Sequence, residues 1–565
     1  MVNFHDLIPR IYELFPKKDA NGLPLPGRGY SWNNFSKDCL SGIIVGIVAL
    51  PLAMGFSIAA GGTPAQGLYT AIVAGFFISV LGGSRFQIGG PTGAFVVIIF
   101  DVIVRHGMAG LIAATVLAGI MLVLMGIFGL GKFIKYIPYP VTTGFTTGIG
   151  VLIFSQQIKD FFGLTILKSS PQFIQMWIDH FKAASTVNPI SVGIGAGTLL
   201  IIIAIRRLSP RLPSAVIGVL VLTLVTYLLH LDVDTISSRF GGIPQVLPKP
   251  HLPAISLTVI ADVFPDALTI ALLAAIESLL SAVVADGMTT DRHNSNTELI
   301  AQGIGNIFSG IFGGIPATGA IARTATNIKS GATSPVSGII HAFSLILFIL
   351  FLAPAASAIP LASLSAVLIV VSWDMSNLGR FFRITRTAPK SDITVLITTC
   401  ALTILVNLTF AVEVGVVLAV FLFLRRMVEI ANIKLENDDV IASLAYGNIA
   451  PKTQDSITAL YKKDIEIYEI DGPFFFGVAD MLQNTLRQVA KTPKKIILRM
   501  RAVPAIDSTG IAALESFLIN CRKQKIRLLI SEIREQPKKA LEKDGFAADL
   551  GEENFAQTLE EAVER

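Results

Sequence analysis

The stretch RFQIGGPTGAFVV, residues 85–97, lies within a long apolar region yet contains the residues that a membrane helix tolerates least. Gly89, Gly90 and Pro91 break the apolar run, and sequence compatible with a helix resumes at Ala94. In a bilayer an interrupted helix is stable only where protein or a water-filled cavity satisfies its backbone groups. The interruption therefore indicates a special site rather than an ordinary span.

The composition is that of an integral membrane protein. Of the 565 residues 52% are hydrophobic and 15% are charged, and the mean hydropathy is +0.66. The net charge of +5 is spread over loops, so it bears on membrane orientation and does not indicate a nucleic-acid partner. The three cysteines are far apart in the sequence, and their spacing indicates neither a disulfide nor a metal site.

Two composition regimes divide the chain. Apolar stretches of helix length recur from about residue 41 to residue 424, whereas charged residues become frequent from about residue 428. We predict a cytoplasmic arm over residues 1–40, a transmembrane domain over 41–430 and a soluble domain over 431–565. About fourteen spans are expected, at 41–60, 66–83, 86–104, 109–129, 136–156, 190–206, 214–230, 265–285, 298–313, 315–329, 335–353, 360–375, 391–407 and 410–426.

The distribution of basic residues favours the same count. With fourteen crossings and a cytoplasmic N-terminus, every loop rich in lysine or arginine falls on the cytoplasmic side, as the positive-inside rule requires. The loops are those of Arg85, Lys132 and Lys135, Arg206 to Arg211, Arg292, Lys329, Arg380 to Lys390, and Arg425 and Arg426. Both termini are therefore predicted to be cytoplasmic.

The opening stretch has a partner later in the chain. FGGIPATGAIART, residues 312–324, is a second interruption with two glycines and a proline, and Gly93 and Gly319 are separated by 226 residues. The same interval separates Pro51 in the first span from Glu277 in the eighth. Seven spans followed by seven more form an inverted repeat, and paired interruptions in such a repeat are a pointer to a transporter's binding site. We call residues 86–93 the first break and residues 312–319 the second break.

The two breaks predict an anion site near the middle of the bilayer. Each allows a helix to begin there, so unpaired backbone N–H groups and the positive ends of two helix dipoles would converge. The small residues around the breaks leave room for a ligand of a few heavy atoms; they are Thr92, Gly93, Ala94, Ala317, Thr318, Gly319 and Ala320. The alternative is that the glycines only allow close helix packing.

Glu277 is a candidate for cation coupling. It is the only charged residue between Asp266 and Asp286, and a carboxyl group inside a span is costly unless it is functional. It could bind a cation or take up a proton, because burial favours its neutral form. Sodium requires several oxygen ligands, and only Ser281 and Thr318 offer nearby hydroxyls, so we favour a proton. A structural glutamate bonded to backbone is the alternative.

Several long motifs occur in the order found in one family. They are GLYTAIVAG (67–75), GGSRFQIGGPTGAFVV (82–97), YIPYPVTTGFTTGIGV (136–151), AAIESLLSAVVADGM (274–288), GGIPATGAIARTATNIKSGATSP (313–335) and DSTG (507–510). In these motifs the chain resembles the SulP family of sulfate-permease-type anion transporters, which are similar to solute carrier 26 proteins. The resemblance implies a core group of spans 1–4 and 8–11, a gate group of spans 5–7 and 12–14, elevator-like movement between them and a homodimer.

The resemblance also implies roles for individual residues. It places the acid that couples a cation at Glu277 and a basic residue near the anion at Arg323, and it implies an aromatic wall at Phe56. Arginine near a span's end often reaches the interface or pairs with an acid instead, and an aromatic residue in a membrane helix is more often packing.

The C-terminal sequence has an α/β pattern. IEIYEIDGPFFFGVAD, residues 465–480, predicts a buried strand followed by a helix, and residues 494–533 predict a strand, loop, helix and strand. This region resembles a STAS domain, and the resemblance implies a regulatory phosphorylation site at Ser508. The alternative is that Asp507 and Ser508 act only as helix N-caps.

The sequence as a whole predicts a secondary active transporter, coupled to protons, for a small anion such as sulfate, a C4-dicarboxylate or bicarbonate. An anion channel or exchanger of the same fold, a sodium-coupled bicarbonate symporter and a membrane-anchored sensor are the alternatives. No set of nucleophile, base and oxyanion donors indicates an enzyme, and no cofactor or metal is expected. We expect the protein in a bacterial inner membrane, with a cytosolic protein as a further partner of the STAS domain.

Overall fold

The computed structural model describes residues 8–14, 30–132, 138–166, 172–209, 212–250, 257–406, 408–430, 432–435, 465–475 and 493–565, with the single residues 170 and 482. Most of the predicted arm, the basic residues Lys135 and Arg211, and the helix predicted after residue 475 lie outside these ranges. The chain divides into two compact units, residues 1–419 and residues 420–565.

The described part of the first unit consists mainly of helices. They are α1 Trp32–Ala59, α2 Pro64–Leu81, α3 Val96–Ile127, α4 Tyr139–Phe161, α5 Phe173–Lys182, α6 Pro189–Leu208, α7 Ser214–Leu228, α8 Ile236–Phe240, α9 Leu257–Met288, α10 Ser295–Ile311, α11 Ile321–Lys329, α12 Val336–Ser357, α13 Leu361–Ser376, α14 Leu378–Thr387, α15 Lys390–Leu405 and α16 Leu408–Ile430, which extends past residue 419. Within the described ranges, seven helical stretches are long and apolar enough to cross a membrane.

The helices follow the predicted spans with one difference. The third and fourth predicted spans are both present within α3, because the backbone at Gly107, with φ 68° and ψ −175°, is not helical and separates them. Three short helices in the connections, α5, α8 and α14, were not predicted. The last of them is separated from α13 by Asn377, whose left-handed backbone ends the α13 helix.

Capping side chains fix where the helices next to the breaks begin. The Thr63 hydroxyl accepts a hydrogen bond from the N–H of Gln66, and the Gln66 side chain accepts one from the N–H of Thr63, so α2 starts with a complete capping box. Asn294 caps α10 by accepting from two backbone N–H groups. The helices that lead into each break therefore start at defined positions.

Glycine contacts bring the helices of the two repeats close together. A Cβ atom on Gly119 of α3 would lie 2.6 Å from the carbonyl oxygen of Gly303 of α10, and a Cβ on Gly303 would lie 2.5 Å from that of Gly119. Helix α3 packs on α9 and α10, and α1 packs on α12; we call these helices the first packing group. Helix α4 packs on α13 and α15, and these three helices are the second packing group. The two breaks lie within the first packing group.

The second unit contains a five-stranded sheet. Its strands are β3 Asn432–Leu435, β4 Ile465–Asp471, β5 Lys495–Ala502, β6 Arg527–Ser531 and β7 Phe555–Ala556, in that spatial order. β3 is antiparallel to β4, and all other neighbours are parallel. Four helices follow β5, namely α17 Ser508–Lys523, α18 Glu535–Asp544, α19 Phe546–Leu550 and α20 Leu559–Glu564. The α/β prediction for this region is confirmed.

Candidate functional site

The two breaks meet as a pair of short strands. β1, Gly89–Gly90, is antiparallel to β2, Thr318–Gly319, and Gly89 lies opposite Gly319. The N–H of Ala320 extends this contact by donating to the carbonyl of Ile88 over 2.9 Å. Each break thus satisfies part of the other's backbone, which is the requirement for an interrupted helix inside a membrane.

Helical structure begins directly after each strand. A 3₁₀ turn over Gly93–Phe95 leads into α3, and α11 begins at Ile321. The two segments run in opposite directions at the strand pair, as an inverted repeat requires. The helix N-termini therefore start next to the same pair of strands, and this is where the sequence predicts the anion.

Three side chains of α11 hold the first break. Arg323 donates from Nη2 to the carbonyl of Pro91 over 2.6 Å, and Thr324 Oγ1 accepts from the N–H of Ile88 over 3.2 Å. The third residue, Asn327, donates from Nδ2 to the carbonyl of Phe86 over 2.9 Å. The second repeat therefore positions the backbone of the first.

The second break is held mainly by α10. The amide of Asn306 makes two hydrogen bonds of 2.8 Å to Ala317, accepting from its N–H and donating to its carbonyl. The Ser309 hydroxyl donates to the carbonyl of Ile315, and the N–H of Ile315 donates to the hydroxyl oxygen of Thr70 on α2. Because these polar groups are buried, each bond replaces a contact that water would otherwise make.

Glu277 lies beside the first break. Its Oε2 accepts a hydrogen bond of 3.1 Å from the hydroxyl of Thr92, and its side chain is only partly buried. One turn earlier on α9, the carbonyl of Ala274 accepts from Thr318 of the second break over 3.0 Å. α9 thus contacts both breaks, and it places one carboxyl group at their junction.

Ser281, which the sequence names as a hydroxyl near Glu277, makes its hydrogen bond to another residue. Its hydroxyl donates to Thr324 Oγ1 over 3.2 Å, which is the same oxygen that accepts from the N–H of Ile88. Ser281 therefore belongs to the set of residues that holds the first break.

The space in front of the first break is lined by apolar side chains. A Cβ on Gly93 would lie 2.7 Å from Sδ of Met375, 3.1 Å from Ile153 and 3.2 Å from Phe56. Met375 is on α13 and Ile153 is on α4, so helices of the second packing group close over the break. Phe56, which is on α1 and 6% exposed, covers the same break from another side.

Arg323 adds a buried positive charge behind the first break. Its side chain is 2% exposed, and no hydrogen-bond partner of its Nη1 is found among the described residues. A Cβ on Gly90 would lie 2.1 Å from Nη1, so only glycine allows this approach. The positive charge and the dipoles of the two helices favour a negative ligand nearby.

Sequence reasoning missed several residues of this site. Gln87 covers Gly319 and donates to the carbonyl of Ser278, and Glu298 accepts from the N–H groups of Gly83 and Ser84 just before the first break. A signal was present: Glu298, Gln302 and Asn306 recur every fourth residue in an apolar helix and form one buried polar stripe.

Two further groups of polar residues lie away from the breaks. Arg105 pairs with both Asp101 and Asp266 at 2.7 Å, which is a structural ion pair. In the second unit, Asp507 is the N-cap of α17 and accepts from the N–H of Gly510 over 2.8 Å, while Ser508 is exposed at the first helical residue. Among the described residues, no group of three or more His, Cys, Asp or Glu side chains could hold a metal ion.

Comparison with known proteins agrees with this architecture. Residues 35–399 match the model of the sulfate permease family, and residues 456–562 match the STAS domain. YvdB of Bacillus subtilis (strain 168), a protein named for sulfate transport, is 42% identical over 94% of this chain and 97% of its own. The bicarbonate transporter BicA of Picosynechococcus sp. is 28% identical over 94% of each chain.

Solved structures show the same fold. The murine Slc26a9 anion transporter in its inward-facing state superposes with a TM-score of 0.82 at 19% identity, over 94% of this chain and 91% of that one. The transmembrane domain of a cyanobacterial BicA gives a TM-score of 0.60 at 29% identity, over 69% of this chain and 98% of that domain. These are membrane transporters and not enzymes. The family match over most of the membrane region and the 42% identity to YvdB place this chain in the sulfate permease family, with a STAS domain at its C-terminal end.

Proposed function

We propose that the protein is a proton-coupled symporter of a small anion, with the anion bound between the two breaks and the proton carried by Glu277. The observation that carries this proposal is the hydrogen bond from Thr92 to Glu277. It joins the carboxyl group to the break whose helix N-terminus would bind the anion. Protonation of Glu277 would therefore change the affinity for the anion, and anion binding would change the affinity of Glu277 for its proton.

The proposed anion site consists of residues that offer backbone N–H groups and little side-chain bulk. Its members are Phe56, Thr92, Gly93, Ala94, Thr318, Gly319, Ala320 and Arg323. Two helix N-termini and one guanidinium select for negative charge and small size, but they do not distinguish one small anion from another by its shape. Sulfate, bicarbonate and a C4-dicarboxylate all meet these requirements, and the names of YvdB and BicA support the first two.

The coupled ion is better explained by a proton than by sodium. A sodium site needs several oxygen ligands, whereas the hydrogen bond that Glu277 makes to a described side chain comes from a single hydroxyl, that of Thr92. The hydroxyls of Ser281 and Thr318, the two candidates named from the sequence, donate to Thr324 and to the carbonyl of Ala274. A carboxyl group with one hydroxyl partner can exchange a proton without rearranging a coordination shell.

Transport would proceed by movement of the core group against the gate group. Met375 and Ile153, from helices of the gate group, pack over Gly93 of the core group. Contacts between apolar side chains are non-directional, so a sliding movement can break and remake them at low cost. The elevator-like motion and the homodimer are expectations carried over from the family.

The membrane orientation can be tested independently. We propose a bacterial inner membrane with both termini cytoplasmic, because the basic loops then lie inside. Single cysteines placed near Arg207 or Arg383 should be labelled by an impermeant reagent only from the cytoplasmic side. Labelling of either position from outside would contradict the topology.

The test of function is uptake into proteoliposomes that contain the purified full chain. An imposed pH gradient, acidic on the side of the labelled anion, should drive accumulation above equilibrium, and an uncoupler should abolish it. Sulfate, bicarbonate, fumarate and succinate would be compared as competitors. Downhill flux that ignores the pH gradient would favour the channel, flux that requires a counter-anion the exchanger, and dependence on sodium the sodium-coupled symporter. Absence of any flux would favour the sensor.

The STAS domain is proposed to regulate this activity. Ser508 is exposed at the start of α17, where a phosphate would face N–H groups of the first turn. A phosphorylated Ser508, or a cytosolic protein bound there, would act on the transporter from its cytoplasmic side. Uptake by Ser508→Glu and Ser508→Ala variants tests this, and equal rates for both and the parent would count against it.

A further inference from the structure

The helix α14 connects α13 and α15, which correspond to two of the predicted spans. Asn377, with φ 42° and ψ 44°, ends α13, and α15 begins at Lys390. The ten residues of α14 extend over only about 15 Å, half of what a span requires. Because α13 and α15 correspond to consecutive predicted spans, we expect α14 where these spans reach the membrane surface.

The sequence of α14 divides into two opposite faces. Arg380, Arg383 and Arg386 follow one another at three-residue intervals along one side. The opposite side is apolar, and its members are Leu378, Phe381, Phe382 and Ile384. No residue of α14 is buried in the protein, and Phe382 is 54% exposed. Leu378, Phe381 and Ile384 are partly covered by protein, whereas Phe382 and the arginines are exposed. A short helix with a basic face and an exposed aromatic residue is typical of segments that lie in the membrane interface.

The arginines of α14 are not neutralised by the protein. Among the described residues none of the three pairs with a carboxylate, and Arg380 instead lies over the ring of Tyr139, 5.5 Å from its centroid. The nearest acids along the chain are engaged elsewhere, since Asp374 pairs with Arg206 at 2.8 Å and Asp392 accepts from Ser391. Three exposed positive charges thus lie on the same short helix as the exposed side chain of Phe382.

A neighbouring aromatic residue supports the interfacial position. Trp373, one turn before the end of α13, is 69% exposed, and tryptophan is enriched where a span meets the lipid headgroups. The pair Arg206 and Asp374 places the end of α6 at the same level. The exposed Phe382 of α14 is therefore expected next to lipid and not next to bulk water.

We propose that α14 is a binding site for anionic glycerophospholipids, with the arginines on the headgroup phosphates and Phe382 against the acyl chains. The charge of the arginines and the apolar surface of Phe382 together favour an anionic lipid as the ligand. A free phosphate would use the arginines but leave Phe382 in water, whereas a zwitterionic lipid would cover Phe382 without matching the charge. The site is independent of the anion site and of proton coupling.

The first experiment measures lipid binding by the full-length protein in detergent. Fluorescent phosphatidylglycerol would be titrated against the parent and against Arg380→Gln/Arg383→Gln/Arg386→Gln. Each arginine near an anionic surface contributes about fivefold, so the triple variant should bind roughly a hundredfold more weakly. The matched control is Lys523→Gln/Lys525→Gln/Lys543→Gln, which removes the same charge from exposed positions of the STAS domain and should bind as the parent does.

Further arms separate the sources of phosphate. Phosphatidylcholine should bind the parent no better than the triple variant, and millimolar inorganic phosphate should not displace phosphatidylglycerol. Phe382→Ser should weaken lipid binding while leaving its salt dependence unchanged, because the charges remain. If the triple variant is poorly folded, Arg383→Gln alone should still show the fivefold loss.

Three results would overturn the proposal. They are equal phosphatidylglycerol binding by the parent and the arginine variants, equal binding of both lipids by the parent, and full displacement by inorganic phosphate. Displacement by inorganic phosphate would mean that the arginines form a site for soluble phosphate. Equal phosphatidylglycerol binding by the parent and the variants would mean that anionic lipid binds elsewhere on the protein.

Discussion

The hydroxyl of Thr92 donates a hydrogen bond to the carboxylate of Glu277 across 3.1 Å, although the two residues are 185 positions apart and belong to opposite repeats. A hydroxyl can donate to a carboxylate, but it can also accept from a protonated carboxyl group. The bond therefore persists through a change of protonation, with its direction reversed. This makes Thr92 the direct link between the proposed proton carrier and the first break.

Glu277→Gln should separate the two ligands. Glutamine keeps an oxygen for Thr92 but cannot ionise, so anion affinity should hold or rise, because a like-charge repulsion of roughly 1–4 kcal/mol at about 4 Å is removed. Accumulation driven by a pH gradient should vanish. Both are measured on the same proteoliposomes, with Glu413→Gln as the control for loss of a carboxylate in another span. Full proton-driven uptake by Glu277→Gln would make this residue structural.

Gly93→Val and Gly319→Val should abolish anion binding. A Cβ on Gly319 would lie 1.6 Å from Nε2 of Gln87, and one on Gly93 would meet Met375 at 2.7 Å, so a branched side chain must displace the residues around the break. Gly193→Val is the control, since no atom lies within 4 Å of a Cβ there. Equilibrium binding of labelled sulfate or bicarbonate measures the effect, and retained affinity in both break variants would contradict the site.

Asn306→Ala should destabilise the second break. It removes both hydrogen bonds to Ala317 and leaves two buried backbone groups without that partner, at about 1–3 kcal/mol each. We expect a lower melting temperature in detergent and weaker anion binding. Gln245→Ala, which removes an exposed bond to the carbonyl of Leu350, should change neither. Unchanged stability of Asn306→Ala would show that other contacts suffice to hold the break.

Removal of the chain after Glu436 should leave a membrane unit that binds anion. Among the described residues, the buried cluster around the first break is formed by members between Phe56 and Leu368, all of which belong to the first unit. The truncated protein should be monodisperse, with an altered transport rate or expression level. Complete loss of binding in a folded truncation would mean that the STAS domain completes the site.

Cys521 should be inert to alkylation in the folded protein. It lies in α17 with no exposed surface, and burial raises the pKa of its thiol to about 12. Because the neutral thiol is the stable form below that value, raising the pH from 7 to 9 should not produce reactive thiolate. Mass spectrometry of the Cys521 peptide after iodoacetamide treatment checks this, with urea-unfolded protein as the positive control. Rapid modification of the native protein at pH 8 would contradict the burial.

The sequence by itself determined the features that depend on local composition and on repetition. The apolar runs predicted the spans, and the interval of 226 residues between Gly93 and Gly319 predicted the inverted repeat and the meeting of the two breaks. The alternation in residues 465–471 predicted a strand of the α/β domain. These features can be predicted because bilayer thickness, strand alternation and helix interruption each leave a pattern along the chain.

Only the tertiary structure decided which side chains satisfy the breaks. Asn306 bonds to Ala317, Thr324 accepts from Ile88, and Ser281 bonds to Thr324 where the sequence had placed it beside the cation. The orientation of Arg323 toward Pro91 was likewise not predictable. The physical reason is that a buried polar group takes whichever donor or acceptor the packing brings within hydrogen-bonding distance, and the separation of these partners along the chain, within one repeat or between the two, carries no pattern.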